Sequence, residues 1–556
     1  MRAELYESAA AEFHLDDRFE MICCRRVARV RGGKGEPMAM TTEGFGEPQG
    51  GAPIDRDRTA EERTARVRTF DSTSPATGEV VGTFPVDGPE QVAAAVARAR
   101  EGAEGWAGLG FEGRRRALLA YKALLVRRTD ELVALVHREN GKPHADALIE
   151  VLLAAEHLDW AARNAAKVLG PRRVRGNLLV ANHAASVEYQ PLGVIGVIGP
   201  WNYPVFTPLG SIAYALAAGN AVVFKPSELT PAVGCFLADT FAEAVGDQPV
   251  LQVVTGDGAT GHALCLAGVD KVALTGSPAT GRKVMAACAE RLTPVVLELG
   301  GKDAMIVDAD ADLDAAAEQA VWGGMANAGQ TCLAVERLYV VDPVYDRFLA
   351  KLVERASRVR PGGGPRADFG PITLPRQLEI IQRHLDDAFA RGATALVGGP
   401  DAVRPPYVDP VVLVDVPPDA LIMREETFGP VLPVTRARDA DHAVALANAN
   451  PYGLGAAVFA GRRADRIARA LRSGMTSVNS VLTFAGMPSL PLGGVGESGF
   501  GRIHGPDGLR EFARSKAITR QRFPLPFPMQ SFNRPSYVLP AVKQVMKLRH
   551  GHAPRR

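Results

Sequence analysis

The chain has 556 residues, more than one domain usually holds, and its 46% hydrophobic and 23% charged residues are typical of a globular protein. Its 64 basic and 62 acidic residues nearly balance, which gives no indication of binding to nucleic acid or to a membrane surface. The six cysteines are too sparse for a disulfide framework and lack zinc-ligand spacing, so we expect reduced thiols, a cytoplasmic protein and no metal.

The first elements follow an N-terminal extension. Residues 1–65 are rich in Gly, Pro and charge, a composition that buries little surface, and we predict that they are disordered. The alternating stretch TFDSTSPATGEVVGTFPV predicts two strands joined by a turn at Pro75 and Gly78. A helix is expected to begin at Pro89, and helical patterns continue to Pro171.

From residue 193 the pattern changes to short apolar runs separated by helical stretches. The runs GVIGVIGP, NAVVFKP, LQVVTG and KVALTGS have the composition of buried parallel strands. Strand alternating with helix predicts an α/β fold with a doubly wound parallel sheet, which binds ligands beyond the carboxyl ends of its strands. A second α/β region begins near residue 298.

Three segments at the ends of these predicted strands are suited to a nucleotide. Ser277 can cap a helix that begins at Pro278, and a capped N-terminus can hold phosphate, although any capped helix has this pattern. The segment GDGATG begins at Gly256 and matches a dinucleotide motif, or is a glycine-rich turn. Lys225 and Glu228 of FKPSE could hold ribose hydroxyls, or form a solvated turn.

Three further segments carry groups suited to catalysis. Asn202 lies between two prolines in GPWNYP and is a candidate oxyanion donor, or part of aromatic packing. Glu298 lies between leucines, where desolvation would raise the pKa of its carboxyl and suit a general base; the alternative is a paired structural Glu. Cys332 in NAGQTCLA is either a nucleophile or one more buried cysteine.

The segments GPWNYP, FKPSE, GSPATG, LELGGK, NAGQTC and EETFGP occur in this order. Through them the chain resembles the NAD(P)-dependent aldehyde dehydrogenase superfamily over roughly residues 66–525. The resemblance implies that Cys332 is the nucleophile, Glu298 the general base and Asn202 the oxyanion donor. It also implies a set of cofactor-binding residues: Trp201, Lys225, Glu228, Gly256, Ser277, Glu426 and Phe428.

The implied reaction is oxidation of an aldehyde to its carboxylic acid with NAD, or with NADP as the alternative. It runs through a thiohemiacetal and a thioester on Cys332, and Glu298 activates the water that hydrolyses the thioester. Glu228 would repel a 2′-phosphate and therefore favours NAD. A coenzyme A-acylating enzyme and an inactive binding scaffold are less favoured alternatives, because relatives of the first kind generally lack the base and scaffolds normally lose Cys332 or Glu298.

Two branches of the superfamily are similar to this chain: the class 3 enzymes for fatty and aromatic aldehydes, and the succinate-semialdehyde-dehydrogenase-like enzymes. Ser211 stands where many members carry a lysine. The helix after PWNYP has no Arg to hold a distal carboxylate, so we expect an apolar aliphatic or aromatic aldehyde, with succinate semialdehyde as the alternative. Five residues are expected to line an apolar substrate tunnel: Tyr203, Phe206, Leu482, Phe484 and Met487.

The resemblance also implies a division of the chain. The expected parts are an NAD-binding domain (66–172 and 192–297), a catalytic domain (298–502), a small β oligomerisation arm (173–191 and 503–525) and a C-terminal tail (526–556). We expect a homodimer or homotetramer. The tail is partly amphipathic and basic at its end, and it could lie on a partner subunit or touch a membrane. The second alternative is less favoured because one short amphipathic turn binds weakly.

Overall fold

The structure is a computed structural model that describes residues 68–177, 180–246, 248–364, 366–524 and 531–551. The predicted N-terminal extension and parts of the predicted tail lie outside these residues. Within the described ranges, no helix combines the length and the apolar character needed to cross a lipid bilayer.

The first described elements are a β-hairpin and four helices: β1 (Thr69–Thr73), β2 (Val80–Pro85), α1 (Pro89–Gly108), α2 (Gly110–Arg127), α3 (Thr129–Asn140) and α4 (His144–Leu169). The two strands pair in antiparallel fashion, as the sequence predicts. Pro89 begins α1, where its fixed φ suits the first turn and its missing N–H costs nothing. Gly141 ends α3 in the left-handed conformation with φ 80°.

The chain then forms two strands of a separate antiparallel sheet, β3 (Arg172–Val174) and β4 (His183–Pro191). An open parallel sheet follows, built from these elements: β5 (Val194–Ile198), α5 (Phe206–Ala218), β6 (Ala221–Lys225), α6 (Pro231–Val245), β7 (Leu251–Val253), α7 (Gly258–Leu266), β8 (Lys271–Thr275), α8 (Pro278–Ala289) and β9 (Val295–Glu298). The chain winds from β5 outward to β7 and then returns to β8 on the other side of β5. This reversal creates a crevice at the carboxyl ends of β5 and β8, where such sheets bind ligands.

A second, mostly parallel sheet follows, with the strand order β12-β15-β16-β11-β10-β17-β18. Its region comprises β10 (Asp303–Val307), α9 (Leu313–Met325), β11 (Val335–Val341), α10 (Tyr345–Ala356), α11 (Pro375–Ala390), β12 (Thr394–Val397), β13 (Val403–Arg404), β14 (Tyr407–Val408), β15 (Val411–Val414), α12 (Leu421–Arg424), β16 (Val431–Ala437), α13 (Ala440–Asn448), β17 (Ala456–Phe459), α14 (Ala464–Ala470) and β18 (Ser477–Val478). Strands β13 and β14 form a small separate hairpin. Each large sheet has its own apolar core, with Trp106 and Phe224 buried around the first and Met305 and Phe348 around the second. The predicted α/β fold with two sheet regions is confirmed.

The last described elements are β19 (Gly499–Phe500), α15 (Gly505–Glu511), β20 (Ala513–Gln521) and α16 (Val538–His550). Strand β19 lies within the predicted catalytic domain but pairs with β9 at the edge of the first sheet. Strand β20 pairs with β4 along its whole length and completes a three-stranded sheet in the order β20-β4-β3. This sheet has the strands expected of the arm, while the domain boundaries and the role of the arm in oligomerisation stay predictions.

Candidate active site

A cavity of about 750 Å³ opens at the carboxyl ends of the first sheet and reaches the second sheet region. It brings together eight of the predicted site residues: Trp201, Asn202, Lys225, Glu228, Ser277, Cys332, Glu426 and Phe428. Gly256 and Glu298, although both lie in the described part of the chain, are not among the residues that line it. Its size is within the range of small-molecule and cofactor sites.

One end of the cavity carries Lys225, which ends β6, and Glu228, which follows it. The Lys225 ammonium is buried, donates to the carbonyl oxygen of Pro226 at 2.9 Å, and lies 3.4 Å from Oε2 of Glu228. Burial lowers the pKa of Lys225, and the carboxylate of Glu228 counteracts this. The Glu228 side chain is half exposed, so its carboxylate is free to accept hydrogen bonds from a ligand.

Ser277 caps helix α8 at the cavity wall. Its Oγ accepts a hydrogen bond from the backbone N–H of Thr280 at 3.2 Å, and Pro278 occupies the first helical position, as predicted. The free N–H groups at this end of α8 and the positive end of the helix dipole favour an anionic ligand.

Gly256 begins a tight turn before α7, and its contact with the cofactor stays a prediction. It has φ 142°, and a Cβ placed there would lie 2.1 Å from Oγ1 of Thr260. The next residue, Asp257, caps α7 by accepting from the backbone N–H of Ala259 at 2.8 Å. The segment is therefore a tight turn into a helix, and its Gly258 and Gly261 line the large cavity.

The other end of the cavity carries Glu426 and Phe428. Glu426 Oε1 accepts from the backbone N–H of Gly301 at 2.9 Å, and burial raises the pKa of this carboxyl to about 8. A Cβ at Gly300 would lie 2.3 Å from Glu426 Oε2, so only glycine admits the carboxylate here. The Phe428 ring meets Trp201 edge-on at 5.5 Å between centroids.

This loop is held by a buried ion pair that the sequence analysis did not identify. Glu336 on β11 accepts from the backbone N–H groups of Thr427 at 2.8 Å and Phe428 at 3.0 Å. Its partner is the buried Lys302, which also donates to Oγ1 of Thr427 at 3.0 Å. The pair fixes the backbone beside Glu426.

Cys332 lies between the tight turn at Ala326–Gly329 and strand β11, and its side chain is half buried at the cavity wall. Two residues of the turn, Asn327 and Ala328, have left-handed φ of 53° and 57°, a strained conformation for alanine. Gly301 permits the close approach of the cysteine backbone, because a Cβ there would lie 2.2 Å from the Cys332 carbonyl oxygen.

The Cys332 thiol lies near three carboxyl groups. Burial is the main cause that raises its pKa well above the usual value, and the carboxyls of Glu298, Glu426 and Asp303 raise it further. Because the thiolate is the nucleophilic form, this cysteine needs a proton acceptor before it can attack.

Asn202 is tied to the segment that carries Cys332. Its Nδ2 donates to the carbonyl oxygen of Gln330 at 2.9 Å. The backbone carbonyl oxygen of Asn202 accepts hydrogen bonds from Asn327 Nδ2 at 3.2 Å and from the Lys142 ammonium at 2.9 Å. A side-chain amide has two N–H groups, so one remains available to the cavity that Asn202 and Cys332 both line.

Lys142 belongs to a second buried ion pair that the sequence analysis missed. Its ammonium lies 2.5 Å from Oε2 of Glu150, and neither side chain is exposed. Glu150 Oε1 accepts from the backbone N–H groups of Val205 at 2.7 Å and Phe206 at 3.1 Å. The pair thus fixes this loop at Asn202 and at the end where α5 begins.

Glu298 ends β9 and is buried. The backbone N–H of Gly494 donates to its carboxylate, but Oε1 has no hydrogen-bond partner among the described residues. Burial raises its pKa to about 8, while the charge of Arg502 acts in the opposite direction. An unpartnered buried carboxyl oxygen with a pKa near neutrality is suited to accept a proton.

The predicted tunnel residues all lie away from the wall of the large cavity. The Tyr203 hydroxyl lies 3.0 Å from Oγ1 of Thr331, and its ring lies under the Lys142 ammonium at 3.8 Å. Phe206 packs against the His157 ring at 5.1 Å between centroids. Ser211 is buried on α5.

The remaining tunnel residues lie in the segment 482–487. His157 on α4 is within hydrogen-bond distance, 2.9 Å, of the Ala485 carbonyl oxygen in this segment. Phe484 is buried, Leu482 is partly buried with φ 60°, and Met487 is exposed. The structure thus places this segment beside α4, and its contact with substrate stays a prediction.

The chain belongs to the aldehyde dehydrogenase family, since the family model described as "Aldehyde dehydrogenase family" matches residues 62–518. It is an oxidoreductase that acts on an aldehyde with NAD or NADP. A 4,4'-diapolycopene aldehyde oxidase of Methylomonas sp is 40% identical, with 82% of this chain and 87% of that protein covered. A Mycobacterium ulcerans protein provisionally named as an NADP(+)-dependent succinate-semialdehyde dehydrogenase is 36% identical, with 85% and 93% covered.

Solved structures agree with the fold. The crystal structure of an NAD-dependent aldehyde dehydrogenase from Sinorhizobium meliloti matches with a TM-score of 0.79 and 35% identity. The match covers 83% of this chain and 93% of that one.

Proposed function

We propose that this protein oxidises an apolar aliphatic or aromatic aldehyde to its carboxylic acid, with Cys332 as nucleophile, Asn202 as oxyanion donor and Glu298 as general base. The observation that carries the proposal is the common wall of one cavity, in which Cys332 and Asn202 lie beside Lys225, Glu228, Ser277 and Glu426. The nucleophile and the oxyanion donor thus meet a site whose size and polar groups suit a dinucleotide. Glu298 lies behind this wall, close enough to Cys332 for its charge to raise the pKa of the thiol.

The reaction begins when the Cys332 thiol gives its proton to the carboxylate of Glu298, which passes it on to solvent, and the sulfur Sγ forms a bond with the aldehyde carbon. The carbonyl oxygen becomes an oxyanion, and two donors are suited to hold it: the free N–H of the Asn202 amide and the backbone N–H of Cys332. The contact of Asn202 with Gln330 keeps its amide in place before substrate arrives.

Bound NAD or NADP would supply the hydride acceptor that this oxidation requires, so that the thiohemiacetal on Cys332 becomes a thioester. The residues suited to hold the dinucleotide are Lys225 and Glu228 at one end, Ser277 at the N-terminus of α8, and Glu426 and Phe428 at the other end. The cavity of about 750 Å³ and the capped helix at its wall fit such a group.

Glu298 completes the cycle by accepting a proton from the water that attacks the thioester carbon. The carbon–sulfur bond breaks, the carboxylic acid leaves and the Cys332 thiol forms again. The unpartnered Oε1 of Glu298 supports this role, because a carboxyl with all its lone pairs occupied could not take the proton.

Two features support an apolar substrate. Helix α5, with the sequence FTPLGSIAYALAA, carries no cation that could hold a distal carboxylate. The Methylomonas relative is named for a diapolycopene aldehyde and not for the semialdehyde of an acid. Succinate semialdehyde is the second candidate, favoured by the name of the Mycobacterium ulcerans relative. Glu228 favours NAD, whereas that relative is named for NADP.

We further propose that the protein is a cytoplasmic homodimer or homotetramer whose subunits meet through the sheet β20-β4-β3. The half-buried β4 and the exposed edge strand β20 support this contact, since an open sheet edge readily pairs with a second chain.

The test is the appearance of reduced cofactor with a panel of aldehydes, including a medium-chain aldehyde and succinate semialdehyde, each with NAD and with NADP. We expect the medium-chain aldehyde to have the higher kcat/KM, and no requirement for coenzyme A. Cys332→Ala should abolish turnover, while Cys235→Ala, which removes another buried thiol on α6, should retain it. Substantial activity in Cys332→Ala would overturn the proposed mechanism.

A further inference from the structure

The last part of the chain has a charge unlike the rest. After Glu511 the sequence contains ten Lys and Arg residues and neither Asp nor Glu through to residue 556. Because the whole chain has a net charge of +2, residues 1–511 carry a net charge of −8. A surface of one sign over this length attracts a partner of the opposite sign.

Within this basic region, α16 is an amphipathic helix of 13 residues, nearly four turns rather than the single short turn expected from the sequence. At 100° per residue, Leu539 and Leu548 mark the edges of an apolar half of the circumference that also contains Val542 and Met546. Lys543 and Lys547 lie in the other half, whereas Arg549 lies among the apolar residues near the end of the helix. The helix therefore has an apolar and a basic half.

The apolar side of α16 is exposed. Leu539 is 59% exposed, Met546 57% and Leu548 73%, and Val538 at the start is the one buried residue of the helix. Leucine and methionine side chains clustered at a surface indicate an interaction site, because isolated apolar residues are common but contiguous ones are not.

The strand that precedes α16 in the chain, β20, is also basic. Arg514, Lys516 and Arg520 on this strand are exposed, and so are Arg172 and Arg173 on β3 of the same sheet. The tail and the sheet that precedes it thus have the same sign of charge.

We infer that α16 docks the protein on an anionic lipid bilayer, with the helix in the plane of the surface, its apolar side in the acyl boundary and its lysines among the headgroups. A helix with exposed apolar and basic sides has the properties of an interfacial membrane helix. Nucleic acid would pair with the lysine and arginine side chains but would leave the apolar side of α16 exposed to water. A symmetric contact of α16 with its copy would bring like charges together.

The experiment measures co-sedimentation of the full-length protein with vesicles of phosphatidylcholine alone, or of phosphatidylcholine and phosphatidylglycerol in equal parts. We expect binding to the anionic vesicles at least about tenfold tighter than to the neutral ones, and weaker at high salt. Two variants with the same change of charge separate the contributions: Met546→Asp lies on the apolar side and Gln544→Asp on the polar side of α16. Met546→Asp should weaken binding about tenfold more than Gln544→Asp.

Equal binding of the two variants, or equal binding to both kinds of vesicle, would overturn the inference. So would a loss of self-association in sedimentation velocity that is specific to Met546→Asp, since the apolar side would then contact a second copy. Complete competition by duplex DNA with no difference between the variants would assign the cations to nucleic acid. Leu539→Asp repeats the test at a second exposed position. Turnover of a short water-soluble aldehyde should be unchanged in all three variants, so this result is separate from the proposed function.

Discussion

Two buried Lys–Glu pairs support the candidate active site, and each holds the backbone of one loop. Lys142 and Glu150 fix the loop that contains Asn202, through the carbonyl oxygen of Asn202 and the N–H groups that begin α5. Lys302 and Glu336 fix the loop that contains Glu426, through the N–H groups of the two residues after it.

The two pairs support different parts of the reaction. The first pair positions the proposed oxyanion donor, and the second positions the end of the cavity where Glu426 and Phe428 lie. Burying an ion pair is costly, and an apolar pair of similar size is often more stable. These pairs therefore serve to orient backbone groups through hydrogen bonds, which an apolar pair cannot form.

The largest effect is expected from removing one charge of either pair. Lys142→Met and Lys302→Met each leave a buried carboxylate without its cation, and each should lower the free energy of unfolding by about 3–5 kcal/mol. Denaturant unfolding measures this loss. The kinetics should differ: Lys142→Met should lower kcat, and Lys302→Met should raise the KM for the cofactor. Identical kinetic changes in both variants would contradict the division of roles.

The next largest effects are expected from substitutions in the two loops that the ion pairs hold. Asn202→Ala removes the proposed oxyanion donor and should lower kcat by about 10²–10³ with little change in the KM for the cofactor. Above pH 8, where the Glu426 carboxyl is ionised, Glu426→Gln should raise the KM for the cofactor about tenfold, because a hydrogen bond from a ligand to a charged group is replaced by a weaker one. Steady-state kinetics with the cofactor and the aldehyde varied separately distinguishes the two. A large fall in kcat from Glu426→Gln alone would place this residue in the chemical step.

Glu298 predicts a dependence on pH. With a pKa of about 8, its carboxyl is mostly protonated at neutral pH, so thioester hydrolysis should accelerate as the pH rises through 8. Glu298→Gln should lose this dependence and release one burst of reduced cofactor per active site, measured by stopped-flow absorbance. A steady rate with the wild-type pH profile in this variant would exclude Glu298 as the base.

The same pKa has a consequence for stability. The folded-state pKa lies above the ordinary value of 4.5, so the contribution of Glu298 to stability is present below 4.5 and is lost as the pH rises through about 8. The Tm of Glu298→Gln relative to the wild type should therefore rise with pH over this range.

The smallest effect is expected from an exposed ion pair. Arg466 and Asp441 lie 2.9 Å apart with both side chains exposed. A double-mutant cycle with alanine should give a coupling energy below about 1 kcal/mol and unchanged kinetics. A coupling energy of several kcal/mol would show that burial does not explain the difference between this exposed pair and the two buried pairs.

Much of this arrangement is predictable from local sequence. The apolar runs from Val194 to Glu298 predict the first sheet, and Ser277 with Pro278 predicts the start of α8. The glycine motif that begins at Gly256 lies at the cavity through Gly258 and Gly261, whereas Gly256 itself forms the turn before the capped helix α7. Local sequence does not reveal that β19 crosses back to the first sheet.

The buried pairs were missed although a signal for them exists. Glu150 lies in the apolar run ALIEVLLAA and Glu336 in AVERLYVV, the same pattern of an acid among apolar residues that identifies Glu298. What the sequence cannot supply is the partner. Lys302 lies 34 residues from Glu336, and only the folded chain distinguishes a paired carboxylate from an unpaired one.

The antiparallel contact between β19 and β9 has a consequence for the order in which the protein matures. Glu298 opposes Gly499, about 200 residues further along the chain, and Gly494 donates to its carboxylate. Contacts of such long sequence separation form late in folding, since a large loop must close first. During synthesis the nucleophile emerges well before the segment that encloses the base. A truncated or nascent chain that ends before residue 490 would therefore carry the cysteine without the enclosed carboxyl that hydrolysis requires.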